Sequence, residues 1–222
     1  METAKRSMTF LLAAPERRVL RWMAARLPAS WTPNHLTGIG VVGALGTAVG
    51  YALTPAGAGW LWLASAMLLV NWFGDSLDGT LARVRRIERP KYGYYIDHMV
   101  DAFNTAVIGA GIGLSAYVSL PLALVLVVIY LSLSINIYLE SSVFGVFEAS
   151  YGIFGPTEVR LLLIIANTAL WAGDSFRGVT AGEVRTVANW VVGGLCVVMF
   201  VMMAIRFGIN LTRLSRVDPP HR

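Results

Sequence analysis

The chain has 222 residues, 56% of them hydrophobic and only 14% charged, with mean hydropathy +0.62 and a formal charge of +5. Soluble domains carry roughly 25% charged residues, so an ordinary water-soluble globule is excluded and a bilayer protein expected. In that setting the positive charge reads as attraction to anionic lipid, and nucleic-acid binding is set aside.

At the N-terminus "MTFLLAAP" has the look of a short signal peptide, but "ERRVLRWMAAR" follows and no cleavage is expected. Within residues 15–27, Arg17, Arg18 and Arg21 share one helical face, while Val19, Leu20, Met23 and Leu27 share another. That pattern predicts an amphipathic helix lying in the cytoplasmic interface, with a plain juxtamembrane basic segment as the alternative.

Uncharged runs then divide the chain. No Asp, Glu, Lys or Arg occurs among the 48 residues between Arg26 and Asp75, the 38 between Asp101 and Glu140, or the 20 between Arg185 and Arg206. A helix needs about 20 apolar residues to cross the hydrocarbon, so the first two runs hold two spans each and the third holds one. "TPAGAG" (54–59) splits the first run into spans near 37–54 and 59–76, and "SAYVSLP" (115–121) splits the second into 97–117 and 120–141. A short fifth span near 155–172 carries Glu158 and Arg160 at one membrane surface, and a sixth runs near 187–207. The expected fold is therefore all-α, six transmembrane helices preceded by an interfacial helix, forming one membrane domain over 1–222.

Sixteen of the 18 basic residues fall on one side of this layout, and only Arg177 and Arg185 on the other. The positive-inside rule thus puts both termini in the cytoplasm, as expected for a multi-pass protein of the cell's inner (plasma) membrane. Cys196, the one cysteine, lies inside the sixth span and permits no disulfide or cysteine metal site within a monomer. Glycines 109, 113, 193 and 194 read as helix-packing positions.

One stretch, "NWFGDSLDGTLARVRRIERPKYGYYIDHMVDAF" (71–103), places four aspartates beside apolar spans. Asp75 and Asp78 are i,i+3 at the cytoplasmic end of the second span. Asp97 and Asp101 are i,i+4 at the start of the third, so each pair shares a helix face. A short basic connection makes the helices antiparallel neighbours and lets all four carboxylates converge. Such a cluster needs divalent cations to stay ionised, and oxygen-only ligands point to Mg2+ or Mn2+. Two ions about 3.5–4 Å apart would clamp a pyrophosphate. Gly79, Gly93 and Ala82 leave room for a ligand close to backbone, and Arg83 offers a cation for phosphate oxygens. Solvated helix ends and a cation pathway are the competing readings. A pathway needs polar stations at several depths, whereas mid-span polarity is thin, Asn136 and Asn167 being the main instances.

The stretch resembles the CDP-alcohol phosphotransferase signature, D-x2-D-G-x2-A-R, a spacer, then G-x3-D-x3-D. It reads here "DSLDGTLAR", nine residues, then "GYYIDHMVD". The six-span layout and "TPNHLT" entering the first span are similar to the family as well. The resemblance implies a phospholipid-synthesising transferase that moves a substituted phosphoryl group from a CDP-alcohol to an acceptor alcohol and releases CMP. It implies metal ligation by Asp75, Asp78, Asp97 and Asp101, with Asp101 also the general base, and two Mg2+ or Mn2+ ions as cofactors. Gly79, Ala82, Arg83 and Gly93 would line the CDP site, and Asn34 and Thr37 would reach the same nucleotide unless they merely form a turn and cap. Its expected partners are the CDP-alcohol, a lipid or polar alcohol, membrane lipids and a second copy in a homodimer. CDP-diacylglycerol is the leading donor. The alternative is a CDP-ethanolamine or CDP-choline headgroup passed to diacylglycerol. For that branch speak His98, beside the third aspartate, and "GPTEVR" (155–160), whose Glu158 becomes a second candidate base. His98 itself points away from the aspartate pair, so packing or headgroup contact suits it better than metal ligation.

Overall fold

The computed structural model describes residues 12–144, 155–177 and 180–218, and among these every regular element is helical. A short helix, α1 (Ala13–Ala24), precedes α2 (Pro33–Ala52), α3 (Trp60–Arg85), α4 (Pro90–Leu114), α5 (Leu120–Phe144), α6 (Pro156–Arg177) and α7 (Ala181–Val217). Length and apolarity alone suffice for membrane crossing in three segments: Pro33–Ala56, Leu120–Phe144 and Gly182–Val217. Helices α3, α4 and α6 have 26, 25 and 22 residues and are long enough, but carry charge within them. Lys5, Arg6 and Arg222 of the basic count lie outside the described residues.

The helices overrun the expected spans at their charged ends. α3 continues to Arg85 rather than stopping near 76, and α4 begins at Pro90 rather than 97. Hydropathy falls where charge appears, but intrahelical hydrogen bonding continues into the polar zone. α2 starts at Pro33, and its cap is Thr32. The Thr32 hydroxyl accepts from His35 N at 3.2 Å, while Thr32 N donates to His35 Nδ1 at 3.4 Å. Neither Asn34 nor Thr37 is the cap, which leaves both side chains for other partners.

Helix α2 is the centre of the bundle, packed along α3 and, on another side, α4. Small residues make this possible. A Cβ on Gly43 would lie 2.3 Å from Asn71 N, one on Gly74 2.3 Å from Gly40 N, and one on Gly50 2.6 Å from Ala64 N. On the other side a Cβ on Gly111 would lie 2.4 Å from Ala48 Cα. These are backbone contacts that no rotamer change relieves, as in small-residue membrane packing. Gly109 and Gly113 pack as expected, against Val127 and Leu120. Gly193 and Gly194 do not: a Cβ on either meets nothing within 4 Å, because described residues leave that face of α7 uncovered.

The two sequence breaks meet at the far end. Ala116 N donates to Thr54 Oγ1 at 3.0 Å, joining the end of α2 to the end of α4. Three buried polar side chains are paired between helices: Tyr51 donates to Asn167 Oδ1 and Asn167 to Ser65 Oγ. Glu140 of α5, 9% exposed, accepts two bonds from Arg206 Nε and one at 2.6 Å from its Nη2, and is also met by Asn136 and Asn210.

α1 lies on the protein. Leu20 and Ala24 join Leu36, Leu77 and Leu81 in one apolar cluster, with Met23 and Leu27 against it. Val19 and Trp22 face outward, so the expected apolar face divides, part turned inward and part exposed.

Candidate active site

The site is built at the α3–α4 turn; the two helices were expected as direct antiparallel neighbours, but each packs chiefly on α2 and they come together only near the turn. Arg86 caps α3 in the left-handed conformation (φ 55°), with Ile87 N donating to Ala82 O. Pro90 at the first position of α4 has no N–H to leave unmet, and so starts the helix after only Arg86–Arg89. Arg85 donates to the carbonyls of Leu27, Pro28, Ala29 and Trp31, clamping the α1–α2 connection against the hairpin.

This short turn brings the four carboxylates into one region. Asp101 stands against Asp75, within electrostatic reach of Asp97 and Arg160, and Asp78 lies within reach of Asp75 and Asp97. Asp75 and Asp78 each accept hydrogen bonds, and Asp97 lies near a histidine. Arg160 of α6 donates through Nη2 to Asp75 Oδ2 at 2.6 Å and through Nε to Asn71 Oδ1 at 2.9 Å. Asn71 in turn donates to Gly40 O at 2.8 Å, so α2, α3 and α6 are locked together beneath Asp75. Asp78 Oδ2 accepts from Thr37 Oγ1 at 2.6 Å, and its Oδ1 from Gly79 N at 2.5 Å. Asp97 Oδ2 lies 3.7 Å from His98 Nδ1.

The expected nucleotide-side residues surround this cluster. Gly79 and Arg83 are one unit: a Cβ at 79 would stand 3.3 Å from Arg83 Nη1, and Arg83 Nη2 donates to Thr80 Oγ1. Ala82 is half-buried beside them. A Cβ on Gly93 would meet nothing within 4 Å, so the start of α4 is open there. Asn34 donates to Tyr92 OH at 3.1 Å, and the Arg89 guanidinium lies over the Tyr92 ring, so Asn34 belongs to the α2–α4 rim. Thr37 reaches Asp78 directly.

Glu158 and His98 are placed differently. Glu158 is 6% exposed, and its two oxygens accept from Leu12 N at 2.8 Å and Gly155 N at 3.0 Å. It thus caps α6 and anchors the start of α1. Nearby Glu16 gathers Trp72 Nε1, Ser76 Oγ and Thr157 Oγ1, completing this cover over α3 and α6. His98 packs between Tyr94 and Tyr138 at 4.1 and 4.4 Å, with Nδ1 2.7 Å from Tyr94 O. Of the two roles expected of it, packing and headgroup contact, these contacts are of the packing kind. Arg160 was visible in sequence only as a basic residue near a span end, because its partner lies 85 positions away.

Among the described residues no three Asp, Glu, His or Cys side chains are gathered closely enough to hold one ion. Like charges have instead turned toward separate donors: Asp75 to Arg160, Asp78 to Thr37 and its own turn. The donor set nevertheless fits a hard divalent cation. It is oxygen-only, comes from facing helix ends, and already accommodates the Arg160 positive charge against Asp75.

The chain belongs to the CDP-alcohol phosphatidyltransferase family, whose pattern matches residues 30–202. Over 90 residues it is 37% identical to the phosphatidylinositol phosphate synthase of Cutibacterium acnes (strain DSM 16379 / KPA171202). That match covers 40% of this chain and 41% of the relative, so the chain aligns with only about two fifths of that protein's length. A crystal structure of Mycobacterium tuberculosis phosphatidylinositol phosphate synthase with CDP-DAG bound is similar in fold. Its TM-score is 0.60 at 20% identity, covering 85% of this chain and 93% of that one.

Proposed function

We propose that this protein is a phosphatidyltransferase taking its phosphatidyl group from CDP-diacylglycerol, passing it to a polar alcohol and releasing CMP. The observation that carries the proposal is the gathering of Asp75, Asp78, Asp97 and Asp101 at one hairpin, with Arg160 and Thr37 brought in from other helices. Family membership and the CDP-DAG-bound neighbour support the donor. Helices α2–α7 are the six spans, and the bias of basic residues places the hairpin and both termini at the cytoplasmic face. The working form is a homodimer in the plasma membrane.

Asp75, Asp78, Asp97 and Asp101 would hold two Mg2+ or Mn2+ ions. Bound there, such ions neutralise pyrophosphate charge and polarise the phosphorus under attack. The remaining chemistry belongs to the chain. Thr37 fixes Asp78 by donating to one of its oxygens. Arg83, Gly79, Ala82 and Gly93 seat the nucleotide, with Asn34 at the rim. Asp101 takes the proton of the acceptor hydroxyl as its oxygen forms the new bond to phosphorus and the bond to the CMP oxygen breaks. Arg160 holds Asp75 in place before substrate arrives.

Asp101 is preferred to Glu158 as base because both Glu158 oxygens already serve backbone amides. The same contacts weaken the headgroup-transfer alternative, whose two supports, Glu158 and His98, both have packing or capping partners.

The test is CMP release by purified protein with magnesium. CDP-diacylglycerol is offered with inositol phosphate first, then glycerol phosphate and serine; CDP-ethanolamine and CDP-choline are offered with diacylglycerol. Release from CDP-diacylglycerol is expected, abolished by chelator and reduced at least about 10³-fold in Asp101→Asn. Release from CDP-aminoalcohols alone, or full activity of Asp101→Asn, would overturn the donor or the base assignment respectively.

A further inference from the structure

One face of α4 carries Gly93, Asp97, Asp101, Asn104 and Gly111, at spacings of four, four, three and seven residues. Asn104 on this stripe is 4% exposed, and neither its Nδ2 nor its Oδ1 has a hydrogen-bond partner. The buried asparagines of α3 and α6, Asn71 and Asn167, use both ends of their amides. A doubly unmet buried amide is costly and rare in native proteins, and a bound ligand is one of the few reasons to keep one.

The stripe gives the direction from which a ligand would reach Asn104. At its far end Gly111 brings α4 onto the backbone of α2 at Ala48, closing the helix pair. At its near end a Cβ on Gly93 meets nothing, and the two helices are bridged by Asn34 and Tyr92. Asn104 therefore sits between an open mouth and a closed floor, about 4.5 Å further along the axis than Asp101. That offset suits the separation between a pyrophosphate at the carboxylates and the ester oxygens of the glycerol attached to it.

We propose that Asn104 is a binding residue for the lipid portion of the donor, its amide N–H donating to a glycerol-ester carbonyl. The proposal rests on the CDP-lipid reading above and assigns the next contact inward. The interaction is made equally in ground and transition states, so it acts on affinity rather than on turnover.

The experiment compares thermal unfolding of the full chain in detergent with magnesium alone, with magnesium and CDP, and with magnesium and CDP-diacylglycerol. Asn104→Leu is close in size and removes the unmet amide, so its unliganded unfolding temperature should equal or exceed that of the wild type. It should respond to CDP as the wild type does but lose most of the additional stabilisation by CDP-diacylglycerol. Its KM for CDP-diacylglycerol should rise about tenfold, with kcat changed less than about threefold. Should the leucine variant not fold, Asn104→Ala is read the same way. An unchanged response to CDP-diacylglycerol would overturn the proposal. So would equal loss of the CDP response, which would make Asn104 a support of the carboxylates instead. A wild type unmoved by either compound would remove the donor reading, and this proposal with it.

Discussion

Thr37 gains a partner in the structure that its sequence position does not announce. Its position suggested a helix start or a nucleotide contact; its hydroxyl is in fact 2.6 Å from Asp78 Oδ2, donating from a helix 41 positions away. With Asp78 holding a metal as proposed, a partner of this kind would orient the carboxylate, and such partners typically alter metal affinity 10–100-fold. Thr37→Val keeps the shape and removes the donor. The magnesium concentration for half-maximal CMP release should rise about tenfold or more, and Thr37→Ser should restore it; an unchanged magnesium titration would show that the contact does not tune the site. The aspartates themselves were legible because i,i+3 and i,i+4 spacing is local. The partners of Thr37, Arg160 and Asn71 were not, since nothing adjacent to these residues in sequence announces a contact on another helix.

At the scale of elements, the breaks "TPAGAG" and "SAYVSLP" and the presence of six long helices could be read directly, because Gly, Pro and loss of apolarity punctuate a chain locally. Helix ends could not, as α3 and α4 show: charge marks where hydrocarbon ends, not where the helix ends. The packing face of α2 was also hidden. Its glycines at 40, 43 and 50 look like generic membrane composition until α3 is laid against them. Gly43→Leu forces a side chain onto the backbone of Asn71, whose amide braces Gly40 O and Arg160. Overpacking of this kind costs about 3 kcal/mol and should lower the unfolding temperature in detergent by about 5–10 °C. The equivalent change at Gly193, which faces no described residue, should move it by less than about 2 °C.

Across the whole molecule, α2, α3 and α4 form a tight block, and α7 stands apart as the longest helix with most of its surface exposed. Arg206 ties it to Glu140, a charged pair that the hydropathy pattern showed only as the edges of two uncharged runs. Removing Arg206 leaves the Glu140 carboxylate with only the neutral amides of Asn136 and Asn210 and no opposite charge. Arg206→Met should therefore destabilise by about 2 kcal/mol, the figure moderated by the partial exposure of Arg206, and the double change Arg206→Met with Glu140→Gln should recover most of it. Thermal unfolding of the two variants beside the wild type checks this; a double mutant no better than Arg206→Met would argue against the pair.

The turn Arg86–Arg89 has a geometric consequence. Asp78 lies eight residues before it begins and Asp97 eight residues after it closes, so the antiparallel arms count equal distances from a common fold-back point. The hairpin works as a ruler with its zero at the turn. A residue added within Arg86–Arg89 leaves both counts intact, whereas one added within residues 79–85 shifts a carboxylate pair by 1.5 Å and swings it about 100° around its axis. Chain length is thus free at the loop and fixed along the arms.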